Sequence, residues 1–165
     1  NMNRFLSRRN FILIPTMTIL KLVFKPKIVL ASTNISEENW DLSKTQWKNR
    51  LSQESYYILR EEGTERAFSS PLNNEKRKGV FHCAGCNQAL FSSDTKFDSG
   101  TGWPSFWDSI KGSVETKVDF KLIVPRTEYH CSRCGGHQGH VFNDGPAPTG
   151  KRYCNNGLAL RFVLD

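Results

Sequence analysis

The stretch Gly79-Val80-Phe81-His82-Cys83-Ala84-Gly85-Cys86-Asn87-Gln88-Ala89-Leu90-Phe91 decides the fold. Two β-prone runs, Val80 to His82 and Gln88 to Phe91, flank a Cys-x-x-Cys turn, and neither is long enough for a helical period. Downstream the same pattern continues: Lys96 to Asp98, Val114 to Lys117, Lys121 to Val124, Glu128 to His130, His140 to Phe142, Arg152 to Cys154 and Leu158 to Leu164. Gly, Asn, Asp and Pro separate these runs. Regularly spaced short strands build antiparallel sheets folded over each other or curled into a partial barrel. The expected fold is therefore mainly β: two antiparallel sheets forming a partial barrel, with short N-terminal helices.

Those helices lie upstream. Asp41 or Ser43 can cap one that runs to about Arg50, and Ser52 can open a second through Glu62, stopped by Gly63. Trp40, Trp47, Leu51, Tyr56 and Leu59 would face the core. Further upstream, residues 4–31 read as an export signal: a basic start, an apolar middle from Phe11 to Phe24, and a tail ending at Ala31. The middle is interrupted by Pro15 and Lys21 and falls short of the ~20 apolar residues that span hydrocarbon. Ser7-Arg8-Arg9-Asn10-Phe11-Ile12-Leu13 is similar to a twin-arginine signal, with Leu13 where a lysine is common. The destination expected is the periplasm or a lumen. The alternative for the leader is a basic, apolar N-terminus retained as a membrane-surface anchor, and the alternative destination is the cytoplasm.

The charge balance supports setting that leader apart. The chain carries 23 Lys+Arg against 16 Asp+Glu over 165 residues, a net of +7. Six of those cations and none of the acids lie in residues 1–31, so the remainder is balanced to within one charge. Nucleic-acid binders keep a basic excess within the fold, and this chain does not. With 38% hydrophobic and 24% charged residues, disorder and a multi-span membrane protein are also excluded.

Five cysteines cannot all pair internally. Cys83-Ala84-Gly85-Cys86 and Cys131-Ser132-Arg133-Cys134 are knuckles of equal spacing, and two such turns complete a tetrahedral zinc site. A closed four-thiolate site leaves no open position for substrate, so the ion would be structural. Two disulfides, a redox Cys-x-x-Cys, or the rival ligand set Cys131, Cys134, His137 and His140 are the alternatives; the last would strand Cys83 and Cys86. His82 and His130 read as strand residues beside the knuckles. Zinc leaves Cys154 over, in Arg152-Tyr153-Cys154-Asn155-Asn156-Gly157. A lone cysteine is most often an inert buried thiol. Here His137-Gln138-Gly139-His140-Val141-Phe142-Asn143-Asp144-Gly145-Pro146 adds two imidazoles and an acid in a glycine-rich turn, which can activate a thiol and supply protons. Trp103, in the turn Gly100 to Phe106, can wall an apolar pocket.

These blocks, together with Phe97-Asp98-Ser99-Gly100, resemble the signature motifs of the methionine-R-sulfoxide reductase B family from about Leu51 to Phe162, with the zinc knuckles in matching order. The resemblance implies a catalytic domain over 51–165, preceded by the export signal 1–31 and an N-terminal segment 32–50. It implies two antiparallel sheets with zinc away from the active site. Cys154 would be the nucleophile toward an R-configured methionine sulfoxide, and His137 and His140 would hold a water and deliver a proton. Asp144 would orient His140, Asn156 would join the polar network, Trp103 would pack on the substrate methyl group, and Phe142 is a second substrate-binding residue. Many members carry a resolving cysteine where this chain has Thr101. The one-cysteine type implies recycling by an external thiol such as thioredoxin, glutaredoxin or glutathione. Oxidised proteins or peptides are the expected substrates and a monomer the expected state. The competing reading is a non-catalytic zinc-ribbon-like binding module.

Overall fold

The structure, a computed structural model, describes residues 39–121 and 124–165. The export signal expected over 1–31, the start of the N-terminal segment, and the centre of the strand expected from Lys121 to Val124 lie outside those residues. The first described elements are helices α1 (Lys44–Arg50) and α2 (Gln53–Glu61). Ser43 opens α1 with a capping box: its hydroxyl accepts the Gln46 N–H, and the Gln46 side chain accepts the Ser43 N–H. Ser52 caps α2 by accepting the Ser55 N–H at 3.1 Å. At the far end Glu62, with φ 54°, takes the left-handed position expected of Gly63. Glycine at 63 serves a different need, since a Cβ there would sit 2.2 Å from the Tyr57 ring. Trp47, Tyr56 and Leu59 are buried as expected, with Trp40 and Leu51 packed partly buried against them.

Among the described residues nine strands follow: β1 (Gly79–Cys83), β2 (Ala89–Ser92), β3 (Lys96–Phe97), β4 (Ser105–Phe106), β5 (Val114–Asp119), β6 (Arg126–Cys131), β7 (His137–Phe142), β8 (Arg152–Asn155) and β9 (Leu160–Leu164). They form two antiparallel sheets, ordered β2-β1-β9 and β3-β4-β8-β7-β6-β5. The expected curl into a partial barrel is corrected: no backbone ladder pairs a described strand of one sheet with a strand of the other, so the two sheets do not close into a barrel.

An aromatic cluster joins the sheets instead. Phe91 stacks on Phe106 with ring centroids 4.2 Å apart, Phe81 meets Phe106 edge-on at 4.9 Å, and Tyr129 and Tyr153 pack at 5.2 Å. Each such burial is worth roughly 1.5–3 kcal/mol, enough to hold two sheets face to face.

Three local readings also change. Ser105–Phe106, expected inside a turn, is a strand that pairs with both β3 and β8. Residues 157–159 form a 3-10 turn, so β9 begins at Leu160 rather than Leu158. His137 and His140 lie on β7, not in a glycine-rich turn.

Candidate active site and metal centre

Two turns of one construction gather four sulfurs. In the first, the Cys83 N–H donates to the Gln88 carbonyl and the Asn87 N–H donates back to the Cys83 carbonyl. In the second, Cys131 and Gly136, then Gly135 and Cys131, repeat the pair. Both need a left-handed fifth residue, filled by Asn87 (φ 61°) and Gly135 (φ 67°). All four Sγ atoms lie within 4.8 Å of one another, with Cys83 to Cys134 at 3.7 Å and Cys86 to Cys131 at 3.4 Å. A Zn–S bond of 2.3 Å gives a tetrahedral edge of about 3.8 Å, whereas a disulfide requires about 2.05 Å. The buried quartet therefore fits a zinc ion, and all five cysteines are free thiols. The clip is braced by Arg50 and Arg60, which donate to the Gly85 and Cys134 carbonyls from α1 and α2. Gln138 donates to the Cys83 sulfur at 3.4 Å. None of the four cysteines lines the cleft that holds the fifth.

That cleft opens over β8. Cys154 lies between Ser105 of β4 and His140 of β7 in the sheet register. The space, about 140 Å³, is bounded by Trp103, His140, Phe142, Arg126 and Thr64 around the thiol. Cofactor sites run to ~300–1,000 Å³, so this one takes a single side chain. Trp103 is fixed by its indole N–H, which donates to the Glu65 carbonyl at 3.1 Å. Asn156, buried beside it, accepts the Glu65 N–H at 3.0 Å and donates to the Gln138 carbonyl at 2.9 Å. Its amide thus braces the wall that carries Trp103.

Burial pushes the Cys154 thiol above its ordinary value, and the Arg152 charge together with hydrogen bonds to Thr101 and Arg152 pulls it part of the way back. Arg152 sits over the Phe142 ring at 4.4 Å and grips Asp144 with two bonds, 2.9 and 2.8 Å. Asp144 therefore does not orient His140, contrary to expectation. Its carboxylate is on the surface, held below its usual range chiefly by Arg152.

The partner of His140 is Asp119, whose Oδ2 meets Nε2 at 2.7 Å. The same oxygen accepts from Arg126 at 2.7 Å, while Oδ1 accepts the Lys121 N–H at 2.9 Å. The Lys121 N–H, His140 and Arg126 hold the Asp119 carboxyl far below the usual carboxylate range. His137 is paired in the same manner, Nδ1 to Glu128 at 2.8 Å. Burial pushes this imidazole down, and Glu128 opposes the shift.

Residues 137 and 140 would face opposite sides of a regular strand. A bulge corrects this: Tyr129 faces Gly139 while His130 faces His137, leaving Gln138 as the extra residue. The two rings thus come within 5.6 Å of each other, and Gln138 is released toward the zinc clip. His140 lines the cleft; His137 lies behind it, 3% exposed. Asp119 and Glu128 were missed in the sequence because nothing in their own neighbourhood marks them. Only the register Asp119↔Arg126 and Glu128↔His140 brings them to the histidines.

A lone thiol in a cleft lined by an aromatic wall and a carboxylate-held imidazole defines a site for cysteine-based chemistry on one substrate side chain. The SelR domain matches residues 51–164, and the chain belongs to this family, that of the methionine-R-sulfoxide reductases B. It is 58% identical to the "Peptide methionine sulfoxide reductase MsrB" of Methanosarcina barkeri, over 74% of this chain and 87% of the relative. To the protein of the same name from Leptospira interrogans it is 51% identical, over 77% of this chain and 99% of that one. The chloroplastic peptide methionine sulfoxide reductase B1 of Arabidopsis thaliana is 54% identical across 73% of this chain and 60% of its own. Among solved structures the Mis18 "Yippee-like" domain overlaps 53% of the chain and 96% of its own, at a TM-score of 0.42 and 22% identity.

Proposed function

We propose that this chain is a peptide-methionine (R)-S-oxide reductase that repairs oxidised proteins through Cys154. The observation that carries the reading is the fifth thiol, separate from the zinc quartet and seated in a cleft sized for one side chain. Trp103 and Phe142 take the apolar methyl and thioether end of the substrate, leaving the sulfoxide oxygen toward His140. The Cys154 thiolate attacks the substrate sulfur and a proton delivered through His140 goes to the oxygen. The oxygen ends on Cys154 as sulfenic acid, so the cysteine sulfur loses two electrons and the methionine sulfur gains them. Asp119 holds the imidazole in one orientation during the transfer. Arg152, itself aimed by Asp144, favours the thiolate over the thiol.

The other four cysteines hold the structural zinc, which supplies stability and no step of the reaction. Thr101 stands where a resolving thiol would be, so the return to thiol belongs to an external reductant. One thiol of a thioredoxin, glutaredoxin or glutathione displaces water to form a mixed disulfide, and a second thiol releases Cys154. A leader like residues 4–31 would direct this repair to an exported compartment; cell fractionation that finds the protein only in the cytoplasm refutes that part.

Activity is tested with dabsyl-methionine-R-sulfoxide and dithiothreitol. Turnover is expected for the native protein and is lost in Cys154→Ser. No turnover by the native protein would leave a binding module, and full activity of the variant would remove the nucleophile. Mass analysis of the peroxide-treated protein tests the recycling: a disulfide from Cys154 to Cys83, Cys86, Cys131 or Cys134 would overturn it.

A further inference from the structure

Thr64 stands at the edge of the space around Cys154. That residue also lines a second groove of about 350 Å³, between α2 and the 3-10 turn Gly157–Ala159. Its base is the buried Ile58 and Glu65, and its sides are Tyr57 and Leu158, 50% and 38% exposed. Solvent-facing apolar side chains on two sides of an opening gain by covering one another's surface with a ligand. The sides are fixed in advance: the Ser55 hydroxyl donates to the Leu158 carbonyl at 2.9 Å, and Glu65 accepts the N–H groups of Gly157 and Leu158 at 2.5 and 3.1 Å. No cation lines the groove among the described residues, so an anionic ligand would find no partner there.

We propose that this groove receives an apolar side chain next to the oxidised methionine in the polypeptide, making it a specificity subsite for peptide-bound sulfoxide. The proposal rests on the assignment of the Cys154 cleft to methionine sulfoxide. The wall shared with that cleft at Thr64 identifies the occupant. An extended chain advances about 3.3 Å per residue and brings every second side chain to one face, so two spaces that share one wall residue lie within reach of side chains one or two positions apart. A free amino acid ends inside the first space and leaves the second empty. A peptide with leucine or phenylalanine beside the sulfoxide fills both, and a pocket of this kind discriminates apolar from small polar groups by roughly tenfold.

The experiment compares three substrates under dithiothreitol: N-acetyl-methionine-R-sulfoxide amide and two otherwise identical pentapeptides, the sulfoxide flanked by leucines or by serines. The native protein should show kcat/KM about tenfold higher for the leucine peptide than for the serine peptide. Leu158→Ser and Tyr57→Ser should each bring the two peptides to within about twofold while leaving the N-acetyl substrate unchanged. Equal use of both peptides by the native protein overturns the proposal without relying on any variant. So does a variant that slows all three substrates alike, or one that leaves all three unchanged but raises the KM for thioredoxin when thioredoxin replaces dithiothreitol, which would make the groove a reductant contact. Failure of the native protein to reduce any of the three substrates removes the sulfoxide assignment itself, and is thereby distinguished from failure of the groove.

Discussion

Cys154 is asked to be a thiolate in a place where burial favours the thiol, and one guanidinium provides most of the compensation. The sign follows directly. A cation beside the sulfur stabilises the charged form, so Arg152→Met should move the thiol ionisation further up from its already raised position. Iodoacetamide alkylation of Cys154 followed against pH measures this. The native midpoint should lie above that of an ordinary cysteine, and the variant's above the native one, with slower alkylation at neutral pH. An unchanged midpoint would mean that Arg152 acts only through Asp144 and Phe142.

The neighbouring imidazole is separable from this effect. His140→Asn should lower turnover by about 10²–10⁴-fold, as for a lost general acid, yet leave the alkylation midpoint where it was. Thr101 lies within hydrogen-bond reach of the same sulfur. Thr101→Cys should therefore yield, after one turnover without reductant, a disulfide with Cys154 visible as a loss of two hydrogens by mass.

At the scale of elements, the strand ladder β5-β6-β7 is tied to the end of α2 by charges. Lys117 bonds Glu62 at 2.5 Å and Glu128 at 3.1 Å, and Lys121 bonds the other Glu62 oxygen at 2.5 Å. Lys117 and Lys121 hold the Glu62 carboxyl down at about 2. A depressed carboxylate contributes stability that is present above its unfolded value of about 4.3 and is lost as pH falls toward the folded one. Lys117→Met removes the first of these partners and leaves the buried Glu128 with His137 alone. Stability at neutral pH should drop by about 1–3 kcal/mol, and acid unfolding should begin at a higher pH than in the native protein. Circular dichroism along a pH series decides it, and coincident acid transitions would show that the contact is too solvated to count.

The same ladder explains what was legible in the sequence. Spacing alone marked the zinc cysteines, since Cys-x-x-Cys is a local signal, and Ser43 and Ser52 marked the helix starts. Cys154 was the thiol left over by the zinc set, and His140 and Trp103 stood out by their chemistry beside it; Phe142 came through motif resemblance, and the cleft brings all four together. What escaped was whatever depends on register: Asp119 beside His140, Glu128 beside His137, and the Gln138 bulge that turns both rings the same way. Strand β4 escaped for another reason. Two residues are too few to show a period of two, although Phe106 is fully buried.

For the whole molecule the decisive contact is the four-sulfur clip, because it joins parts distant in the chain that no disulfide or backbone ladder ties to each other. Cys83 and Cys86 lie at the β1-β2 turn of the three-stranded sheet, whereas Cys131 and Cys134 lie at the β6-β7 turn of the six-stranded one. The backbone ladders do not cross between those sheets, so the aromatic cluster, side-chain bonds such as Gln138 to Cys83 and Gln88 to Ser132, and the zinc that the clip would bind hold them together. Zinc in such sites contributes an apparent ~10–16 kcal/mol, as large as the entire ~5–15 kcal/mol stability of an ordinary domain. Removing it should therefore not loosen one turn but abolish cooperative folding. The native protein should contain one zinc per chain by elemental analysis. Chelation under reducing conditions should flatten its thermal transition and expose Trp47, packed beside Gly85 of the first knuckle, to solvent as a red-shifted emission. Cys131→Ser should reproduce that state without chelator, while Cys154→Ser should keep both metal and transition. A stripped protein that melts as the native one does would mean that the aromatic cluster and the side-chain bonds bind the sheets without metal, and that the knuckles hold their shape through their own turns.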